Sequence, residues 1–452
     1  MKNELKRVLY WDLGIPRPPF RIVLHPTDKS NLKSIWSWEG ENKEAGPHGN
    51  IEREVLDKIV KEGCKMGVKE WIISGGGEPM LMRDSLIDSM RFIKNNLYYG
   101  ELHTNGTMFT PDIISNLVEI AWDRIVICLP SPEMEKNDEI VSTKGAFSRV
   151  VEGLELFQDM KDELGMTLPV IDIYMPLIAR NLDEVGSMLK FAKRKGVSTL
   201  IIKAGFSLSD DTNEDSIIGE EQIIKFVNDM PRLRSLSRSL RMGIEIGPLE
   251  PTEEPQPQAP KTLDDGKKKD EAGKDDIIGQ LDPKNVYCLE PFLTMMIRPS
   301  GVFGPCSVST YEEERGKDYL SPEGLAKQSL EDIWYGHFFS LLRDNAKVGL
   351  PAKYCAGCTP ELRKKQKSLL KALRLKRDRF MDLAIKKIMQ EAEKDDTDKE
   401  VRKRLKEINK LKTEKEKLEE KLQIMREFYV DLEKIRSSKL YRVLRAIRVF
   451  RE

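Results

Sequence analysis

Between residues 20 and about 246 the chain alternates short apolar runs with amphipathic stretches six times over, and this alternation constrains the fold more than any other feature. The runs at 20–25, 70–74, 101–104, 124–129, 170–175 and 199–204 have strand length. Between them apolar residues return every three or four positions, as at Ile51, Val55, Ile59 and Val60, or at Val185, Met188, Leu189 and Ala192. That is the period of one helix face. Strands separated by helices build parallel βαβ units. The expectation is an α/β fold, as a doubly wound sheet or a full or partial barrel. In either case the active site belongs at the carboxyl ends of the strands.

The remaining organisation follows from composition. Residues 1–19 read as an N-terminal extension and 20–247 as the α/β domain. Residues 248–282, with Pro248, Pro251, Pro255, Pro257 and Pro260 ahead of a charged run, read as a disordered linker. A short cysteine-bearing domain is expected at 283–360. From 361 to 435 Lys, Glu and Leu dominate. Leu411, Leu418, Leu422, Met425, Tyr429 and Leu432 keep a 3/4 spacing, so this region reads as a charged helix or modest coiled coil. Residues 436–452 form a basic amphipathic tail, suited to an anionic membrane surface, a helical partner, or its own domain.

The 75 Lys and Arg balance 75 Asp and Glu over 452 residues, which argues against a nucleic-acid binder. No apolar run reaches the ~18 residues of a membrane span, and Met1-Lys2-Asn3-Glu4 opens no signal peptide. A cytoplasmic location is expected, with the tail permitting a peripheral place at the inner face of the membrane. The six cysteines then read as metal or cluster ligands before disulfides, except Cys64 and Cys128, which read as a buried thiol and a small strand-end residue. His25, His48, His103 and His337 form no spaced pair; His103 is placed either near the pocket or, as the safer reading, as a packed polar residue.

Two loops carry the chemistry. The second strand runs into Ser74-Gly75-Gly76-Gly77-Glu78-Pro79, where glycines permit close backbone approach and Glu78 offers an acceptor for an ammonium group. The first strand runs into Thr27-Asp28-Lys29-Ser30-Asn31-Leu32-Lys33-Ser34-Ile35-Trp36-Ser37. With cysteine at the three serines this loop would read C-x3-C-x2-C, with an aromatic before the last ligand. Thr104-Asn105-Gly106-Thr107 follows strand three, and Lys144-Gly145-Ala146-Phe147 leads into a helix. Over about residues 18–246 the chain resembles the radical S-adenosylmethionine (radical SAM) superfamily.

The resemblance implies a partial (βα)6 TIM-type barrel and an oxidoreductase that uses SAM and a [4Fe–4S] cluster to generate a 5′-deoxyadenosyl radical for hydrogen abstraction. It implies that Trp36 lies near the adenine, and that Gly75, Gly76, Gly77 and Glu78 hold the methionine ammonium. Thr104, Asn105 and Asn181 would line the SAM pocket. Cys128-Leu129-Pro130 departs from the serine common near the ribose. The resemblance also implies an electron donor such as flavodoxin or ferredoxin.

Ser30, Ser34 and Ser37 stand where the cluster ligands belong. A hydroxyl is far harder to ionise than a thiol and is a hard ligand poorly suited to iron–sulfur binding, so the SAM cluster is expected to be absent. Identical isosteric replacement at all three positions, with Trp36 and the 75–78 loop intact, favours inactivation by design over natural loss. Cys288, Gly301, Cys306 and Cys355-Ala356-Gly357-Cys358, together with Glu290-Pro291-Phe292 and Leu330-Glu331-Asp332-Ile333-Trp334, resemble a SPASM/twitch auxiliary domain. That likeness implies one auxiliary [4Fe–4S] cluster on Cys288, Cys306, Cys355 and Cys358. Four thiolates with a C-x2-C pair also suit structural zinc. The weakly preferred substrate is a glycan or other envelope-linked molecule. A peptide-modifying enzyme and a non-catalytic scaffold are the alternatives. The sequence names no catalytic acid or base.

Overall fold

The computed structural model describes residues 2–12, 15–34, 49–204, 218–247, 288–306, 327–347 and Lys371. The readings made for 248–282 and 436–452, for Trp36, Ser37, Cys355 and Cys358, and for all of 361–435 but Lys371 lie outside these residues. The chain divides into two compact units, 1–12 with 16–375 and 13–15 with 376–452. The account below concerns the first.

Strands β1 (Arg21–Leu24), β2 (Glu70–Ile73), β3 (Tyr99–Thr104), β4 (Arg124–Cys128), β5 (Val170–Leu177) and β6 (Thr199–Ala204) occupy the six expected runs. The helices between them include α2 (Arg53–Met66), α3 (Arg83–Asn95), α4 (Pro111–Glu119), α5 (Met134–Ile140), α6 (Ala146–Leu164) and α7 (Val185–Arg194). After α8 (Glu220–Ser239), strand β7 (Gly243–Ile246) joins β6. The sheet order is β7-β6-β5-β4-β3-β2-β1, every pair parallel, and continues past β1 into β8 (Thr294–Ile297) and β9 (Phe303–Gly304). Strand β8 is parallel to β1 with Arg21 opposite Thr294, and β8 and β9 pair antiparallel. The fold is therefore α/β, a mostly parallel sheet with helices that matches the partial TIM-type barrel expected of the sequence.

The two faces of the sheet differ in chemistry. Ile22, Trp71, Ile73, Leu102, Ile125, Ile127, Ile173 and Leu200 are fully buried against apolar helix residues such as Leu56, Met90 and Leu117. Alternate positions bring Arg21, Glu70, Glu101, Arg124 and Asp172 to the other face, as the register Arg21–Glu70 and Glu101–Arg124 requires. One close approach is set by Gly100, where a Cβ would meet the buried Trp122 ring at 2.2 Å.

Helix α1 (Lys2–Asp12) lies in the 1–19 extension and buries Leu5, Val8 and Leu9. Its Glu4 pairs with Arg21, which also meets Glu70 at 3.2 Å and Glu290 at 3.7 Å. Helices α9 (Leu330–Tyr335) and α10 (His337–Lys347) fasten to the same end. Arg343 is buried between the rings of Trp11 and Trp334, at 4.4 and 4.3 Å, and donates to the Pro291 and Trp334 carbonyls at 2.9 Å. Burial pulls this guanidinium down to about 9. Residues 288–306 and 327–347 thus share the sheet and its polar contacts.

Candidate functional site

The carboxyl ends of β1, β2 and β3 are tied together by the two loops singled out in the sequence. The amide of Gly77 donates to the Thr27 carbonyl at 3.2 Å, and that of Glu78 to the Lys29 carbonyl at 2.7 Å. This approach is what the glycine is for: a Cβ at Gly77 would lie 1.9 Å from the Lys29 oxygen. At Gly75 a Cβ would lie 2.1 Å from the Gly77 oxygen.

The Glu78 carboxylate is 2% exposed and accepts three hydrogen bonds. Its donors are the Met80 amide at 2.9 Å, the Thr104 hydroxyl at 2.6 Å and the Asn105 amide at 2.7 Å. Burial raises its pKa above the usual carboxylate range against the pull of those three donors. The carboxylate therefore clamps β2 to β3 within the protein. Among the described residues no group donates to the Gly75 or Gly76 carbonyl, and both residues are half-buried.

The serine loop is docked on the same strand ends. Asn31 donates to the Thr107 hydroxyl at 2.8 Å and accepts from the Asn105 side chain at 2.8 Å, while Thr107 donates to Asn105 at 2.7 Å. The Ser30 hydroxyl donates to the Leu32 carbonyl at 3.0 Å and accepts from the Leu32 amide at 3.1 Å. Leu32 packs with Val141 and Ala146, so the Lys144-Gly145-Ala146-Phe147 segment supports the loop from below. Asp28 pairs with Arg298, just past β8, at 3.2 Å.

Asn181 is fully buried and uses its whole amide: it donates to the Pro130 and Pro176 carbonyls, each at 2.8 Å, and accepts from the Ile178 amide at 2.9 Å. It ties β4 to β5. Burial, then the nearby Glu78, pushes the Cys128 thiol up to about 12, so no thiolate is expected there. Cys288 and Cys306 flank β8 and β9. Among the described residues no three His, Cys, Asp or Glu side chains are grouped as a metal site requires. Nor is any helix among them long and apolar enough to cross a membrane.

Sequence reasoning missed the charged inner face. The side chain of His103, for which packing is the safer sequence reading, is 42% exposed and its Nε2 meets Glu101. Arg124 joins Glu101 at 3.2 Å to Asp172 at 2.6 Å. The available signal was charge at alternate positions within strands otherwise made of Ile, Val and Leu. His25 is 5% exposed, and burial, then the charges of Arg298 and His103, lowers it to about 3 from an ordinary 6.5. Between those values the unfolded chain takes up a proton that the folded chain refuses. The stability present above pH 6.5 is therefore lost at about 1.4 kcal/mol per pH unit as pH falls. Urea unfolding of the parent and His25→Gln at pH 6.5 and 5.5 is expected to show a loss about 1 kcal/mol smaller in the variant, because the unfolded imidazole is already half protonated at pH 6.5. Equal losses would remove His25 as the cause.

Residues 35–192 match the family model described as Radical SAM superfamily. The chain is 24% identical over 226 residues to the AdoMet-dependent heme synthase of Methanosarcina barkeri, covering 49% of this chain and 61% of that one. It is 28% identical over 177 residues to a probable GTP 3',8-cyclase of Methanocella arvoryzae, covering 39% and 54%. The chain spans 46–61% of the length of the four curated relatives it matches. In fold it is similar to SuiB of Streptococcus suis, with a TM-score of 0.51 at 13% identity over 75% of this chain and 77% of that one. It is similar also to native anSMEcpe with bound AdoMet, with a TM-score of 0.51 at 15% identity over 80% and 99%. The 75–78 loop and strands β2–β5 fall within the residues 35–192 over which the chain matches the radical SAM superfamily.

Proposed function

We propose that this chain is a hydrogen-abstracting radical SAM enzyme in a form whose SAM-cluster ligands have been replaced, so that it keeps a SAM cradle and does not cleave SAM. The observation that carries the reading is the docking of the serine loop. Asn31, Asn105 and Thr107 still bind one another, and the amides of Gly77 and Glu78 still hold the Thr27 and Lys29 carbonyls. A loop under no such constraint would have little reason to keep this set of long-range partners.

The donor set does not fit an iron–sulfur cluster. Ser30, Ser34 and Ser37 offer hydroxyls where thiolates are needed, and the Ser30 oxygen is already committed to Leu32 in both directions. The cradle fits SAM better: the Gly75 and Gly76 carbonyls are acceptors for its methionine ammonium, with Glu78 holding the loop rather than the ligand. Trp36 is assigned to the adenine, and Cys288, Cys306, Cys355 and Cys358 to one auxiliary [4Fe–4S] cluster. A flavodoxin or ferredoxin would reduce the parent enzyme. The basic tail supports a glycan or other envelope-linked substrate met at the inner face of the membrane.

The serines favour a second reading, a non-catalytic scaffold. Equilibrium dialysis of the unaltered chain with labelled SAM separates the two. Saturable binding that Gly77→Ala removes is expected, and absence of saturable binding overturns the SAM-cradle reading.

A further inference from the structure

We propose that His103 takes a proton from a hydroxyl group of the substrate inside the barrel, with Glu101 as its positioning residue. The inference rests on the reading of the barrel as an enzyme's interior and adds to it a named proton acceptor and a hydroxyl-bearing substrate.

The inner face of the sheet carries several charges, and most are spent on the protein itself. Arg21 is shared by Glu4, Glu70 and Glu290. Arg124 is held by Glu101 on one side and Asp172 on the other. His25, at the end of β1, is buried and held neutral under Arg298 and His103. His103 differs from these groups. It lies beside Val126 on the face that carries Glu101, and 42% of its side chain is open.

The hydrogen-bond pattern selects one nitrogen. Glu101 is fixed by three partners: His103 at Oε1, and the Arg124 guanidinium and the Tyr99 hydroxyl, each 3.2 Å from Oε2. Burial pushes this carboxyl up, but the hydrogen bond from His103 and the charge and hydrogen bond of Arg124 pull it below the usual carboxylate range. An ionised carboxylate only accepts, so the Nε2 of His103 carries the hydrogen. In the neutral ring that leaves Nδ1 with the lone pair, and no described residue hydrogen-bonds to it. A substrate O–H facing Nδ1 would lose its proton there: the O–H bond breaks, an N–H bond forms, and the electron pair stays on the substrate oxygen. The imidazolium so formed sits against Glu101, which stabilises it as a paired carboxylate does.

The test needs neither SAM nor a cluster, so it reads out even if SAM does not bind. The full chain is labelled with nitrogen-15 histidine, and its four histidine spin systems are assigned with His103→Gln. His103 is expected in the Nε2–H form, with Glu101→Gln shifting it to a mixture of tautomers and Glu101→Asp retaining the parent form. Diethyl pyrocarbonate modification, mapped by mass spectrometry, is expected to label the open His103 before the buried His25. An Nδ1–H tautomer in the parent overturns the proposal, as does labelling of His103 as slow as that of His25. The labelling result comes from the unaltered chain, so a variant that failed to fold would not obscure it.

Discussion

Changing Ser30, Ser34 and Ser37 together to cysteine is expected to add about four irons and four sulfides per chain on anaerobic reconstitution. A thiol ionises near pH ~8.5 and gives a soft ligand, whereas a serine hydroxyl does neither under the same conditions. Asn31, next to Ser30, is already held by Asn105 and Thr107, so at Ser30 the substitution changes donor chemistry on a backbone that is in place. If Cys288, Cys306, Cys355 and Cys358 carry an auxiliary cluster, iron rises from about four to about eight per chain. Reductive release of 5′-deoxyadenosine from SAM is expected in the restored chain alone. No gain of iron would mean that the loop has lost more than three thiolates, and the chain would then be a pseudo-enzyme. Zinc in place of iron in both forms would remove the auxiliary cluster.

Gly77→Ala is expected to be the most damaging single substitution among the loop residues, at about 3 kcal/mol of folding stability. The added Cβ would meet the Lys29 oxygen at 1.9 Å, its carbonyl carbon at 2.4 Å and its nitrogen at 2.6 Å. All three are backbone atoms, so no side chain can swing aside. Relief requires moving residues 27–30 away from the 75–78 loop, which breaks the Gly77 and Glu78 amide bonds to Thr27 and Lys29. Glu78→Gln is expected to cost about 2 kcal/mol by a different route. A carboxamide keeps one accepting oxygen, and its NH2 then faces at least one of the three donors from Met80, Thr104 and Asn105. Urea titration of each variant measures these losses. A change below about 0.5 kcal/mol in Gly77→Ala would show that the two loops do not bear on one another.

The six barrel strands were legible because each is a short apolar run with a helical period on either side. Strand β7 was not, since Gly243–Ile246 is four residues with charge in the middle. Strand β8 was not either: Thr294–Ile297 is too short to separate strand from buried helix by pattern, and its partner β1 lies some 270 residues earlier. The motif residues were legible as types and positions, but their tasks were not. Glu78 and Asn181, expected to face SAM, use their polar atoms on neighbouring strand ends. His103, which the sequence places either near the pocket or in packing, has a side chain that is open on the inner face.

The sequence by itself determined the strand–helix alternation and the donor chemistry of the first loop, because periodicity and the acidity of a hydroxyl are local properties. Only the tertiary structure decided which polar atoms are spent on the protein and which remain for a ligand. Glu78 meets Thr104, Asn31 meets Asn105 and Arg298 meets Asp28 through the register of strands distant in the chain, and hydrogen-bond satisfaction is settled by those meetings.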